Sequence, residues 1–409
     1  MVYILPLILV LFLMYHYDYR GHEKGRLYWY GVLLIYAILV AGLRYRIGGD
    51  TVVYSTNHYL RYPDIYHIWN YDFANDRFAP GYIILTSLAR TISDNFAALQ
   101  IILAIIVNSV IFRFFYKNTT KIFTALLLYF GLCYLNYNTE VLRESVAISF
   151  FLLGWEYFKI HKWWKYYLLC GIAMLFHPSA SFTLLLPVFT LKPFHKAFST
   201  SWVSAVCTFG LFGIGMYISS KFFDVIRLIG MASVDNYADV YENSGMGGGK
   251  TYNIVGKLID VVTYAIYPLI VGWILPQVKN KLIKKEEKQK FDNSVLVMLF
   301  SYAYIGCLSV YIVILYRFNN YLILFFILGT ADVVFHSIEL MKKYYRLSYS
   351  IWALFLFPIL YSPINRLFKP SGITRTAFIH RYYPYYSILD PKTDPEREKI
   401  NYFYISRSN

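Results

Sequence analysis

Asn138 to Ala180 reads NTEVLRESVAISFFLLGWEYFKIHKWWKYYLLCGIAMLFHPSA. It opens on a charged pair, Arg143–Glu144, and continues in an apolar run from Ser145 to Phe158. A basic, aromatic link follows, His161 to Lys165, and a second apolar run ends in Phe176-His177-Pro178-Ser179. Two membrane-depth segments therefore begin and end with ionisable groups on one side. A charge within the bilayer costs roughly 2.5–3.5 kcal/mol even on lenient insertion scales, so such groups are functional candidates.

The rest of the chain has the same character. Of its residues 57% are hydrophobic and 15% charged, against about 25% charged in an ordinary soluble domain. Apolar runs recur from end to end, which predicts an all-α, polytopic integral membrane protein forming a single membrane domain over residues 1–409. A formal charge of +15 would suggest nucleic acid in a soluble protein. Here the basic residues cluster in short loops, where they set topology, and nucleic acid is excluded as a partner. Cys133, Cys170, Cys207 and Cys307 each lie in an apolar run without ligand spacing and read as small core residues. The first run, Val2 to Tyr17, lacks a basic leader and a small-residue cleavage site, so it reads as a retained span.

Lysine-rich links orient the spans. The loop with Arg20, Lys24 and Arg26 is expected in the cytoplasm, as are Lys117 and Lys121, Lys192 and Lys196, and the lysine-rich segment Lys279 to Lys290. Gly81 to Ile92 is too short to span and is expected to be re-entrant or interfacial. The apolar stretch Tyr166 to Leu191 is interrupted at His177-Pro178, which predicts a broken or paired helix, because proline removes a helix hydrogen bond. The count is roughly 12 transmembrane helices plus the short one. Residues 44–80 and 220–257 become long extracytoplasmic loops, and 362–409 an extracytoplasmic tail. The segment GMGGGKT, Gly245 to Thr251, resembles a phosphate loop but fails its spacing, so a mobile glycine loop is expected there.

This orientation places Arg44, Arg46, Asp50, Arg143, Glu144, His177 and Arg317 on one side. Arginine suits phosphate or pyrophosphate, since its fork binds phosphate oxygens bidentately and keeps its charge when desolvated. No cluster with metal-ligand spacing accompanies these residues, and neither metal nor cofactor is called for. Each residue also has a plainer reading. Arg44 and Arg46 could snorkel at a membrane exit, Arg143–Glu144 could be an interfacial ion pair, Asp50 could cap a helix starting at Thr51, and His177 could be structural.

At these residues the chain resembles the EpsG/Wzy-like family of bacterial polysaccharide polymerases. The resemblance is carried in order by RYRIGGDTVVY, LRESVAISF, LFHPSA, YRFNNYL and YYPYYSI. Two positions depart from the family pattern: Gly49-Asp50 stands where Gly-Thr-Asp is usual, and Arg143-Glu144 where Arg-Gln is usual. The resemblance implies an integral-membrane glycosyltransferase of the bacterial inner membrane, with its site facing the periplasm or cell exterior. Such an enzyme polymerises undecaprenyl-pyrophosphate-linked oligosaccharides, with a flippase and a chain-length regulator as further partners. It casts Arg44, Arg46, Arg143, Arg317 and Tyr316 as substrate-binding and His177, Glu144 and Asp50 as candidates for the base, His177 foremost. A flippase of lipid-linked sugar and a membrane-bound acyltransferase are the rival readings.

Overall fold

In a computed structural model the described residues are 2–228, 259–283, 293–340, 367–368 and 377–408. They are helical, and no strand occurs among them. Among the described residues, isolated antiparallel bridges join Arg44 with Ser387 and Ser387 with Asp390. Lipid offers the backbone no hydrogen bonds, so an apolar chain that enters it must satisfy its own N–H and C=O groups, and helices do so within one segment.

The chain divides into two compact units, one of Met1–Ser181 with Arg346–Asn409 and the other of Phe182–Tyr345. The first begins with α1 (Ile4–Leu13), which runs on into a π-turn over Met14–Tyr19, and α2 (Arg26–Gly42). Then come the short α3 (Gly49–Val53), a π-turn over Tyr54–His58, and α4 (Pro80–Ile92). The helices α5 (Ala97–Asn118), α6 (Ile122–Leu132), α7 (Leu142–Lys159) and α8 (Trp163–Met174) complete its bundle. A further π-turn, Asn136–Glu140, leads into α7.

Buried residues of α7 lie nearly all round it, from Leu142 and Glu144 to Trp155 and Phe158, so it is the central helix of this unit. Beside it a buried polar network is satisfied internally: Asn108 Nδ2 donates to Asn138 Oδ1 at 2.9 Å, and Tyr129 OH donates to Asn108 Oδ1 at 3.1 Å. Such a network, with every member partnered, fixes the turn that precedes α7.

In the second unit are α9 (Lys192–Ser199), α10 (Ser201–Leu228), α11 (Tyr267–Ile283), α12 (Ser294–Ser309) and α13 (Tyr316–Leu340). Tyr302 of α12 stacks on Phe326 of α13 at 5.6 Å. Past the second unit the chain returns to the first and ends in α14 (Pro395–Ser408).

Among the described residues three helical stretches are long and apolar enough to cross a membrane: Ala97–Asn118, Ile259–Gln277 and Tyr316–Val334. Shorter apolar helices accompany them, among them Arg26–Gly42 and Ser294–Ser309. The chain is thus a membrane protein of apolar helices, while a count of 12 spans is not reached among the described residues. The glycine loop expected at Gly245 to Thr251 lies outside them. The short helix expected at Gly81 to Ile92 is present as α4, opened by Pro80 in its first turn. The break expected at His177-Pro178 is present too: α8 stops at Met174 and a 3-10 stretch, Pro178–Thr190, takes over.

Candidate functional site

The α3 turn is built on two glycines. Gly48 holds φ at +93°, a backbone region closed to side chains, and an added Cβ would meet the Thr139 carbonyl oxygen at 2.5 Å. At Gly49 an added Cβ would run into the Arg381 guanidinium, and the Gly49 N–H donates to Glu140 Oε2 at 3.2 Å. This close approach aims Asp50 at α7. Its Oδ2 accepts from the Leu142 N–H at 3.1 Å, so Asp50 caps the N-terminus of α7, where a negative charge is favoured. Asp50 itself lies inside α3, so the helix it caps is a distant one and not one starting at Thr51.

Arg143 follows in the first turn of that helix. Its Nε donates to Tyr54 OH at 2.9 Å, and its guanidinium lies over the Phe78 ring at 4.0 Å, with Tyr54 and Tyr82 at 5.7 and 5.9 Å. Tyr54 is hydrogen-bonded to Asp50 as well. A guanidinium within about 6 Å of an aromatic face is attracted by its quadrupole, so three rings help to hold this half-buried cation. Glu144, next in the chain, is buried.

His177 is buried at the α8 break. Its Nδ1 accepts from the Ser179 backbone N–H at 3.1 Å and lies 2.6 Å from Ser179 Oγ. With Nδ1 accepting, the hydrogen-bond network assigns the proton of the neutral ring to Nε2. The turn is tied to the Arg143 cage through Gly81, whose N–H donates to the Leu175 carbonyl at 2.7 Å. An added Cβ at Gly81 would lie 2.7 Å from that same oxygen. Gly81 neighbours Tyr82 of the cage, so α4 positions both parts.

The remaining arginines expected at the site have other partners. Arg44 is buried and donates to the Ala41 carbonyl and, through Nη2 at 2.8 Å, to Thr51 Oγ1. It thereby braces the end of α2 against α3. Arg46 makes a bidentate pair with Glu398 of α14, Nε to Oε1 at 2.9 Å and Nη2 to Oε2 at 2.6 Å. Burial works to raise the Glu398 pKa, but the Arg46 fork more than reverses it and leaves the carboxyl below its usual range. Arg317 and Tyr316 belong to the second unit, at the start of α13, where Arg317 is half-buried and Tyr316 sits 6.1 Å from Tyr264. Two residues on, Asn319 is buried with neither its amide nitrogen nor its oxygen hydrogen-bonded.

Several residues that shape the site carry no sequence signal of their own. Glu140 accepts from Arg381 Nη2 at 2.6 Å and from Tyr382 OH at 2.9 Å, which docks the aromatic C-terminal segment beside the Gly48-Gly49 turn. Phe78 and Tyr82 are aromatic residues in an aromatic-rich chain, and only their position around Arg143 sets them apart. His58 Nε2 accepts from Arg77 Nη2 at 2.9 Å; burial first, and then the Arg77 charge, pull its pKa down to about 4. Among the described residues no group of His, Cys, Asp and Glu is placed to hold a metal ion.

The structure is that of a helical membrane protein in which Asp50, Arg143 and buried Glu144 gather at the start of α7, and ionisable groups among apolar helices mark functional candidates. The chain belongs to the EpsG family, which it matches over residues 26–387, nearly its whole length. The family comprises Wzy-like polysaccharide polymerases, and membership implies a lipid-linked oligosaccharide as substrate. No curated protein and no solved structure matches the chain.

Proposed function

We propose that the chain polymerises undecaprenyl-pyrophosphate-linked repeat units into a surface polysaccharide at the outer face of the bacterial inner membrane. A hydroxyl of the incoming unit attacks the anomeric carbon of the growing glycan. The bond from that carbon to the pyrophosphate oxygen breaks, the configuration inverts, and the lipid pyrophosphate leaves. Negative charge grows on the leaving oxygen, and a preorganised cation there is worth roughly 2.7–4 kcal/mol in a site that excludes water. Arg143 is assigned this role.

The observation that carries this reading is the Arg143 cage: a guanidinium held by Tyr54 OH at 2.9 Å and by aromatic faces, beside a carboxylate fixed on the same helix start. The proton of the attacking hydroxyl passes to a carboxylate. Asp50, which shares Tyr54 with Arg143, is the assigned base, and buried Glu144 is the alternative. His177, with Nδ1 accepting from Ser179, is assigned the complementary role: its Nε2–H donates to the departing oxygen.

The test is chain growth by membranes carrying Arg143→Ala, with labelled lipid-linked repeat units. The expected result is loss of the polymer ladder in a protein that inserts and melts as the parent does. A ladder of parental length from that variant refutes the assignment of Arg143. A parent protein that moves the lipid without lengthening it is a flippase, and one that adds a single small mass increment is an acyltransferase.

A further inference from the structure

The end of α7 remote from Arg143 borders a cavity of about 470 Å³, enclosed by α5, α7 and α8 within the first unit. Buried Phe114 and Leu152 and half-buried Val110 and Leu169 give it an apolar lining. Arg113 and Lys117, both exposed and about one turn apart on α5, line it as well.

Glu156 also faces this cavity, but its charge is already taken up. Lys159 Nζ lies 3.2 Å from Glu156 Oε1, and Asn118 Nδ2 donates to the same oxygen at 3.5 Å. Asn118 is held in turn: its Oδ1 accepts from Trp155 Nε1 at 3.0 Å and from Lys159 Nζ at 2.8 Å. Among the described residues Arg113 and Lys117 have no such hydrogen-bond or ion-pair partner, so the cavity keeps a positive surplus.

The level of the cavity in the bundle matters too. Helix α5 is long and apolar enough to cross a membrane, and the two cations lie in its last two turns. At the same end Lys165 Nζ lies 5.3 Å from the centroids of the Tyr157 and Trp164 rings. Tyrosine and tryptophan beside basic residues mark the depth of lipid headgroups. A basic side chain at that depth can simply reach up to water along its own stem. That accounts for the charges but not for the hollow beside them, which fits an occupant anionic at one end and apolar at the other.

We propose that this cavity binds one anionic phospholipid of the surrounding leaflet, with its phosphate on Arg113 and Lys117 and an acyl chain against Leu152, Leu153 and Leu169. Both cations pair with phosphate oxygens, and basic pockets between membrane helices take anionic headgroups. The site is separate from the one assigned to substrate. Arg143 is in the first turn of α7 and Glu156 in the last, about 20 Å along the axis at 1.5 Å per residue. It stands whether or not the chain makes polymer.

The experiment is native mass spectrometry of the full-length protein released from detergent, with dioleoyl phosphatidylglycerol or dioleoyl phosphatidylcholine added, alongside thermal melting. The parent should retain one phosphatidylglycerol in preference to phosphatidylcholine. A basic residue near an anionic headgroup is worth about fivefold in affinity, so the double variant Arg113→Gln/Lys117→Gln should weaken phosphatidylglycerol about 30-fold and leave phosphatidylcholine unchanged. Both positions are exposed, so without lipid this variant should melt as the parent does. Arg20→Gln/Lys24→Gln removes equal charge from other exposed positions of the first unit and should bind as the parent does. Leu153→Trp narrows the apolar lining and should weaken phosphatidylglycerol with both cations in place. Equal loss in the two double variants, or equal retention of the two lipids by the parent, overturns the site. Unchanged binding in Leu153→Trp overturns the placement of the acyl chain. Inorganic phosphate that raises the melting temperature as much as phosphatidylglycerol does, with the same dependence on Arg113 and Lys117, makes the ligand a free anion and overturns the lipid.

Discussion

Gly48 is the position where one added methyl group tests the architecture of the site most directly. Its backbone sits at φ +93° and ψ 148°, a region occupied almost only by glycine, and forcing another residue there costs about 1–3 kcal/mol. The added Cβ would also stand 2.5 Å from the Thr139 carbonyl oxygen and 2.9 Å from its carbon. Those are backbone atoms of the turn that leads into α7, so no side chain can swing aside, and overpacking of this kind adds about 1–3 kcal/mol. Gly48→Ala should therefore destabilise the first unit by about 2–6 kcal/mol in total, against a typical overall stability of about 5–15 kcal/mol. At about 2 °C per kcal/mol, the low end for large domains, the melting temperature should fall by about 4–12 °C. Gly21→Ala is the internal comparison. It also has positive φ, +73°, but an added Cβ there meets nothing within 4 Å, so only the conformational cost remains. Thermal unfolding of the detergent-solubilised protein, followed by tryptophan fluorescence, reads both. Equal melting of Gly48→Ala and the parent, or an equal loss in Gly48→Ala and Gly21→Ala, would show that the close approach of the turn to Thr139 is wrong. Because the turn aims Asp50 at Leu142, the surviving folded fraction of Gly48→Ala should also be impaired in chain growth.

Glu140→Gln leaves Arg381 opposite a neutral partner in a pair whose side chains are only 10% and 14% exposed, and breaking such a pair costs about 3–5 kcal/mol. Limited proteolysis should then cut the segment around Arg381 to Asp390 sooner than in the parent, and an unchanged cutting rate refutes the docking. His58 is held near pKa 4, below the usual 6.5, so the unfolded chain takes up its proton first. Its contribution to stability is complete above about 6.5 and is lost as pH falls toward 4. His58→Phe should flatten the stability profile in that window, and an identical slope would rule out His58 as its source. Asn319→Leu replaces a buried carboxamide that has no hydrogen bonds by an apolar group of similar size, so melting should be unchanged or raised. A large drop in melting temperature would show that Asn319 holds the fold together after all.

Much of the helical layout was legible in the chain. Long apolar runs must form helices in lipid, where an unpaired peptide group is prohibitive. The shortness of α4 and the break at His177-Pro178 followed from length and from proline's missing donor. The Gly48-Gly49-Asp50 turn is equally local, since it depends on glycine's freedom at positive φ, and its residues were legible in the chain. Its target was not: Asp50 meets Leu142, a residue 92 positions away, and nothing in either sequence names the other.

The division of roles among the arginines is where local reading ran out. Arg44, Arg46 and Arg143 look alike in the chain, all basic residues beside apolar runs. The tertiary structure separates them by what surrounds each guanidinium: a carbonyl and a hydroxyl for Arg44, the Glu398 carboxylate for Arg46, and aromatic faces for Arg143. Hydrophobic burial is governed by the periodic pattern of each segment, so sequence alone determined which stretches become helices. Electrostatic partnership depends on distances between segments remote in the chain, such as Glu140 and Arg381, which are 241 residues apart, and only the folded chain decides those.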